Sequence, residues 1–207
     1  MSMPSLNASK PTEHYGKPTA AQLALPLLLS ISAISLALLP ELHDSLDWYR
    51  TAISHGEHWR LLSGHLLHSN WPHLLMNLGG LWLLLALFQP YFNRVLAIAT
   101  PVMMLLIAAA MLLTDSERYV GLSALLHGLF VWGALEDLRY RRRSGYLLLM
   151  GIIAKVLWEN LMGADSDIAA LINARVAVES HLIGALAGAL CWGAWRMAIR
   201  RRANRFS

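Results

Sequence analysis

The chain has 207 residues, of which 56% are hydrophobic and only 14% charged, and its formal net charge is +4. Soluble domains carry about 25% charged residues, so these proportions exclude an ordinary soluble globule, and the apolar excess excludes intrinsic disorder. A single cysteine, Cys191, excludes a disulfide scaffold and any multi-cysteine metal knuckle.

A membrane-crossing helix needs about 20 mostly apolar residues, within a range of roughly 17–25. Residues 1–19 read as a polar cytoplasmic tail without regular structure. A first span is predicted over 20–39; its long polar lead and the lack of an A-x-A-like site after it argue against a removable signal peptide. A second span is predicted over 73–88, with polar groups confined to its first turn and a half. A third follows over 95–113 without a charge, a fourth over 119–135, a fifth over 146–162 and a sixth over 176–199. Pro26 and Pro101 fall inside spans one and three and predict local kinks that neighbouring helices tolerate in a membrane. The fold class is therefore an all-α membrane protein with six transmembrane helices in residues 20–199, followed by a basic cytoplasmic tail over 200–207.

Lysine and arginine set the orientation. With the N-terminus inside, the inner segments hold twelve cations, including Arg94, Arg139, Arg141–Arg143, Arg196 and Arg200–Arg202, against three acids. The outer loops hold four cations (Arg50, Arg60, Arg118, Arg175) against nine acids. Both termini are then cytoplasmic, as an even span count requires. Basic clusters of this kind mark helix ends facing anionic lipid, and no nucleic-acid-binding module is present. The expected partners are the bilayer and a protein within it, not a nucleic acid.

Polar residues within the spans are few and share one depth. Span two opens with His73 and Asn77, span four with Ser123, and span six with Ser180 and His181; all three helices begin outside. Polar side chains in a membrane are expensive and mark function by default. Ala124 and Gly128 form a small-xxx-small pair on span four, as do Gly184 and Gly188 on span six, and such pairs let helix backbones approach closely. His181, Gly184 and Gly188 share one helix face, which can press on span four and bring His181 to Ser123. A serine is a weak nucleophile until a base takes its proton. Acyl transfer also needs donors for the developing oxyanion. His73 and Asn77, at i and i+4, and the Ser123 N–H at a helix N-terminus can supply them without any metal or cofactor.

The pattern Trp59-Arg60, His68, His73-x-x-x-Asn77, Gly121-x-Ser123 and His181-x-x-Gly184-x-x-x-Gly188 resembles the rhomboid intramembrane serine proteases over about residues 57–193. The resemblance implies Ser123 as nucleophile, His181 as base, and His73 and Asn77 at the oxyanion, with the Trp59-Arg60 segment as a membrane-embedded hairpin between the first two helices. It makes the six-helix bundle rhomboid-like. Two positions depart from the pattern. Ala124 stands where Gly-x-Ser-Gly is usual, and His127 stands where many members carry an aromatic that packs on the base. Gly121-Leu122-Ser123-x-x-Leu126-His127-Gly128, the short chain and the Lys155…Glu159 pair are more similar to the rhombosortase branch. That similarity implies a bacterial inner-membrane enzyme facing the periplasm, which trims a C-terminal tail (Gly-Gly, a hydrophobic helix, a basic end) from exported proteins. The alternatives are a general rhomboid protease acting on other single-pass proteins and a non-catalytic rhomboid-like binding protein.

Other residues carry plainer expectations. His127, one turn below Ser123, allows a rival same-helix dyad but reads better as a partner of His181. His55, His58, His65 and His68 could suggest a metal, yet structural hydrogen bonds pinning the hairpin, with Arg60 among them, explain them better. Lys155 and Glu159 read as an i, i+4 pair that lowers its own burial cost near mid-bilayer, with recognition of a substrate's charged or polar end as the alternative. Arg139, Arg141–Arg143 and Arg200–Arg202 read as solvated topology markers. Trp48, Trp59, Trp71, Tyr91 and Tyr119 read as interfacial anchors.

Overall fold

A computed structural model describes residues 16–205. Among these residues the elements in chain order are α1 (Ala20–Ala37), α2 (His43–Leu46), β1 (Trp48–Tyr49), α3 (Arg50–Ser54), α4 (Arg60–Ser63), α5 (Trp71–Phe88), α6 (Arg94–Met111), β2 (Arg118–Tyr119), α7 (Ser123–Arg139), α8 (Arg143–Met162), α9 (Ser166–Ile172) and α10 (Val178–Asn204). Five helices are long and apolar enough to cross a membrane: α1, α5 with the turn after it, α6, α8 and α10. The sixth expected span is α7, at 17 residues the shortest of the six. It sits in the middle of the bundle against α5, α6, α8 and α10, so protein rather than lipid receives its side chains. That is why α7 can carry Glu136 and Asp137 near its C-terminal end, both buried.

Helix starts follow from their caps. Thr19 closes a capping box with Gln22 at the head of α1. Asn70 caps α5 by accepting the His73 N–H at 2.9 Å, and Asn93 caps α6. Of the expected N-terminal tail, residues 1–15 lie outside the described residues, whereas Gly16 accepts a hydrogen bond from the Gln89 side chain at 3.0 Å. At the other end α10 continues through the stretch expected as a tail and stops only at Asn204; residues 206–207 lie outside the described residues.

The end of the bundle opposite Ser123 is tied by polar bonds. Glu136 accepts from Trp192 Nε1 at 2.7 Å and from Arg139 at 2.9 Å; Asp137 accepts from the Tyr91 hydroxyl at 2.6 Å and from Ser144 at 2.9 Å. Arg142 also pairs with Asp137, at 3.4 Å. Arg139 and Arg142 are thus working partners of buried acids, not the freely solvated markers expected from sequence. The buried carboxylates need those donors, because an unpaired charge there would be costly.

The segment between α1 and α5 forms a pinned hairpin. Arg60 is buried, with bonds to the Asp47 carboxylate (2.6 Å), the Glu57 carboxylate (2.7 Å) and the backbone carbonyls of Asp44 and Asp47. Strand β1 pairs antiparallel with β2, Trp48 opposite Tyr119. Gly64 lets this ribbon close, since a Cβ there would lie 2.7 Å from both the nitrogen and the Cβ of Trp48. The expectation of an interfacial belt is corrected for Trp48, Tyr91 and Tyr119, which are buried in the core. Trp48 donates to the Ala108 carbonyl and Tyr119 to the Gly121 carbonyl, so the polar tip of each ring is satisfied inside. Trp59 and Trp71 are half exposed, as anchors would be.

Among the described residues the histidines of the hairpin form no group of three whose donor atoms could share a metal ion. His65 is fully enclosed, and its Nε2–H donates to the Met104 carbonyl at 3.0 Å. Burial holds its pKa down at about 4. His68 is pushed down further, to about 3, by burial and by repulsion from His73. The unfolded chain takes up these protons near pH 6.5, well before the folded one does. Their stability contribution is therefore complete above pH 6.5 and is lost as the pH falls towards 4. For His65 alone the loss reaches about 3 kcal/mol. Melting in detergent should move to lower temperature between pH 7.5 and pH 5, and His65→Gln, which keeps a donor for Met104, should flatten that dependence. Equal slopes in wild type and variant would contradict this account of His65.

Candidate active site

The turn Gly121-Leu122-Ser123 delivers the serine to the first position of α7. Gly121 has φ +114°, a conformation that side chains rarely adopt. A Cβ there would lie 2.8 Å from His73 Nε2 and 3.7 Å from Asn77 Nδ2. The glycine therefore does two things: it permits the turn, and it leaves room for both polar side chains of α5 beside it. The turn is held by the Gly121 N–H donating to the Gly64 carbonyl at 3.1 Å and by the Tyr119 bond at 2.7 Å. His73 Nδ1 lies 3.1 Å from Ser69 Oγ, and Asn77 Nδ2 donates to the His73 carbonyl at 3.1 Å. The Ser123 N–H, at the opening of α7, has no partner within its own helix.

Helices α7 and α10 meet at backbone distance. A Cβ on Gly184 would collide with the Ala124 carbonyl, and one on Gly188 with the backbone of Gly128. This is the seam the small residues predict, and it has the predicted consequence: Ser123 Oγ lies 3.1 Å from His181 Nε2. His181 is buried and Ser123 partly so.

Three further groups surround the pair. His127 stacks on His181, with ring centroids 4.2 Å apart and planes 12° from parallel. Its Nδ1 is 2.7 Å from the Ser123 carbonyl, so the ring addresses the backbone of Ser123 and not its hydroxyl. The same-helix dyad is not formed. Glu159 Oε2 lies 2.9 Å from His181 Nδ1, while its Oε1 accepts from Lys155 Nζ at 2.6 Å. Lys155 Nζ is also 3.2 Å from His127 Nε2. Lys155 and Glu159 do pair as expected. Glu159 lies three residues before the C-terminal end of α8 and His181 three residues after the start of α10, so the two share one end of the bundle. That shared depth is a signal the sequence carries, and it points to Glu159 once applied to α8.

His127, Glu159 and His181 are also the one group among the described residues whose donor atoms, all within 4.8 Å of one another, could hold a metal ion. The Lys155 ammonium already bonds two of the three.

Two openings reach the site. A cavity of about 340 Å³ is lined by His73, Tyr119, Ser123 and Ser180 together with Arg118 and Arg175. The turn after α9 covers one side of it, tied down by Ser69 Oγ donating to the Ile172 carbonyl at 2.6 Å. An apolar groove of about 230 Å³ runs between α5 and α8, lined by Gly80, Leu83, Leu126, His127, Ile152 and Lys155. It meets the site at His127 and Lys155.

A serine hydroxyl on an imidazole nitrogen, at one end of a bundle of membrane-crossing helices, is the arrangement of a serine hydrolase built inside a membrane protein. Comparison with known proteins gives the same class. Residues 55–197 match the family model described as Rhomboid domain. A relative from Bacillus subtilis (strain 168), named "Putative rhomboid protease YdcA", is 28% identical over 180 residues, which cover 83% of this chain and 82% of the relative. The chain belongs to the rhomboid family of intramembrane serine proteases and is a multi-pass membrane protein.

Proposed function

We propose that this protein is a serine endopeptidase that cuts a transmembrane segment near its outer end, with Ser123 as nucleophile and His181 as base. The observation that carries this reading is the 3.1 Å separation of Ser123 Oγ and His181 Nε2 beside the cavity that Ser123 lines. Ser123 Oγ attacks the scissile carbonyl carbon while His181 Nε2 takes the hydroxyl proton. Asn77, His73 and the Ser123 N–H receive the negative charge that develops on the carbonyl oxygen. His181 then gives its proton to the leaving amine, and the peptide bond breaks to leave an acyl-enzyme on Oγ. Water entering through that cavity repeats the sequence and releases the acid. The groove between α5 and α8 offers a substrate helix a path from the lipid.

The substrate in this reading is an exported protein with a C-terminal tail of Gly-Gly, a hydrophobic helix and a basic end. The enzyme sits in a bacterial inner membrane with its site facing the periplasm. The Gly121–Gly128 motif supports the branch. The arginine-rich helix ends, opposite the site, support the orientation. A peptide bond inside a helix is shielded, so the segment must unwind before attack, and glycine makes unwinding easy.

The test uses the purified chain in liposomes with a tail-bearing substrate. Cleavage is expected at the glycines. Replacing both by leucine adds about 2 kcal/mol to the cost of unwinding and should slow cleavage about 20-fold or more. Equal rates on the two substrates would contradict the unwinding step. Cleavage of an unrelated single-pass protein, with the tail left intact, would favour a general rhomboid protease instead.

A further inference from the structure

We propose that Glu159 is a positioning residue that turns the Ser123–His181 pair into a triad, with Lys155 holding its charge. The proposal rests on the reading of Ser123 as nucleophile and His181 as base. Its own basis is a closed ring of hydrogen bonds in which every proton has one consistent place. The Lys155 ammonium can only donate, so it donates to Glu159 Oε1 and to His127 Nε2. His127 then carries its proton on Nδ1 and donates it to the Ser123 carbonyl. Glu159, ionised beside Lys155, can only accept, so the proton of His181 sits on Nδ1 and points at Oε2. That leaves the His181 Nε2 lone pair for the Ser123 hydroxyl proton.

Neutral histidine has two tautomers, and only one of them is a base toward Ser123. Glu159 selects it. When Nε2 takes the hydroxyl proton, the ring becomes an imidazolium in surroundings of low dielectric, where a nearby negative charge is worth more than in water. Glu159 supplies that charge at 2.9 Å and keeps the Nδ1 proton on the ring throughout. The groups facing His181 are Glu159 from α8, Ser123 and His127 from α7 and, through space, His73 from α5; Lys155 stands behind Glu159 and His127. Glu159 is the sole anion among them. A carboxylate present only to neutralise Lys155 would have no need to turn its second oxygen onto the imidazole of a different helix.

The experiment compares wild type, Glu159→Gln, Glu159→Asp, Lys155→Met and Ser123→Ala, each as the full chain in liposomes. It reads kcat and KM on the tail-bearing substrate and the rate of labelling by a fluorophosphonate probe. Glu159→Gln is expected to lower kcat and labelling together by about 100-fold or more with KM nearly unchanged, as for loss of an orienting carboxylate. Glu159→Asp should recover at least about tenfold of that loss, and Lys155→Met should fall between wild type and Glu159→Gln. If Glu159→Gln does not fold, wild type itself carries the test. The ¹⁵N-histidine spectrum, less that of His181→Ala, should place the His181 proton on Nδ1. A proton on Nε2 overturns the proposal, as does Glu159→Gln with wild-type kcat and labelling. In those cases a dead Ser123→Ala leaves the protease reading standing. Ser123→Ala that still cleaves removes both.

Discussion

Ser123→Ala should yield no cleavage product, and His181→Ala should lower the rate about 10⁴-fold or more, whereas His127→Ala should cost only about tenfold. The ranking follows from where each group points. The His181 ring faces the hydroxyl that must lose its proton. The His127 ring faces a backbone carbonyl that loses nothing, and its remaining contribution is to stack against His181 and to hold Lys155. Loss of stacking loosens the base without removing it. The measurement is product formation by the purified variants, matched for folded protein by their melting curves. Abolition of cleavage in His127→Ala, with activity retained in His181→Ala, would transfer the base to α7 and overturn the geometry described above.

The second large effect is expected at the seam between α7 and α10. Gly184→Ala puts a methyl group into the Ala124 carbonyl, and backbone cannot yield as a side-chain tip can. Overpacking of this kind costs typically 1–3 kcal/mol. The helices must part, and His181, three residues before Gly184 on the same face, moves with α10. A shift near 1 Å breaks a 3.1 Å hydrogen bond and should lower kcat about 100-fold. Gly193→Ala is the control on the same helix, because a Cβ there meets nothing within 4 Å. It should keep activity and gain up to about 1 kcal/mol of stability from better helix propensity. If Gly184→Ala and Gly193→Ala behave alike, the close seam is not what places the base.

The membrane helices were legible because the bilayer sets their length, and the seam was legible because glycine spacing on one helix face has few other meanings in lipid. The positions of Ser123, His73, Asn77 and His181 follow from one-depth arithmetic on three helices. Glu159 lies at that depth too. Its i, i+4 partner Lys155 satisfied the local rule and hid the contact made across to another helix. Trp48, Tyr91 and Tyr119 illustrate a different limit. An aromatic near a helix end can anchor at the interface or fold inward, and the choice depends on a carbonyl or carboxylate from a distant element, such as Ala108 for Trp48. Arg139 and Arg142 stand in positions that satisfy the charge-bias rule, so the rule is silent on whether they also meet Glu136 and Asp137. The short, less apolar α7 is tolerated because four helices shield it, a property of the packed bundle that no window along the chain contains.

The central claim is that a hydroxyl on α7 is made reactive by an imidazole on α10. Its most direct measurement is the mass of the peptide carrying Ser123 after exposure of the folded protein to a fluorophosphonate. A single phosphonyl adduct on Ser123 in wild type, lost in His181→Ala, is the predicted result. An adduct on another serine, or undiminished labelling of Ser123 in His181→Ala, would contradict it.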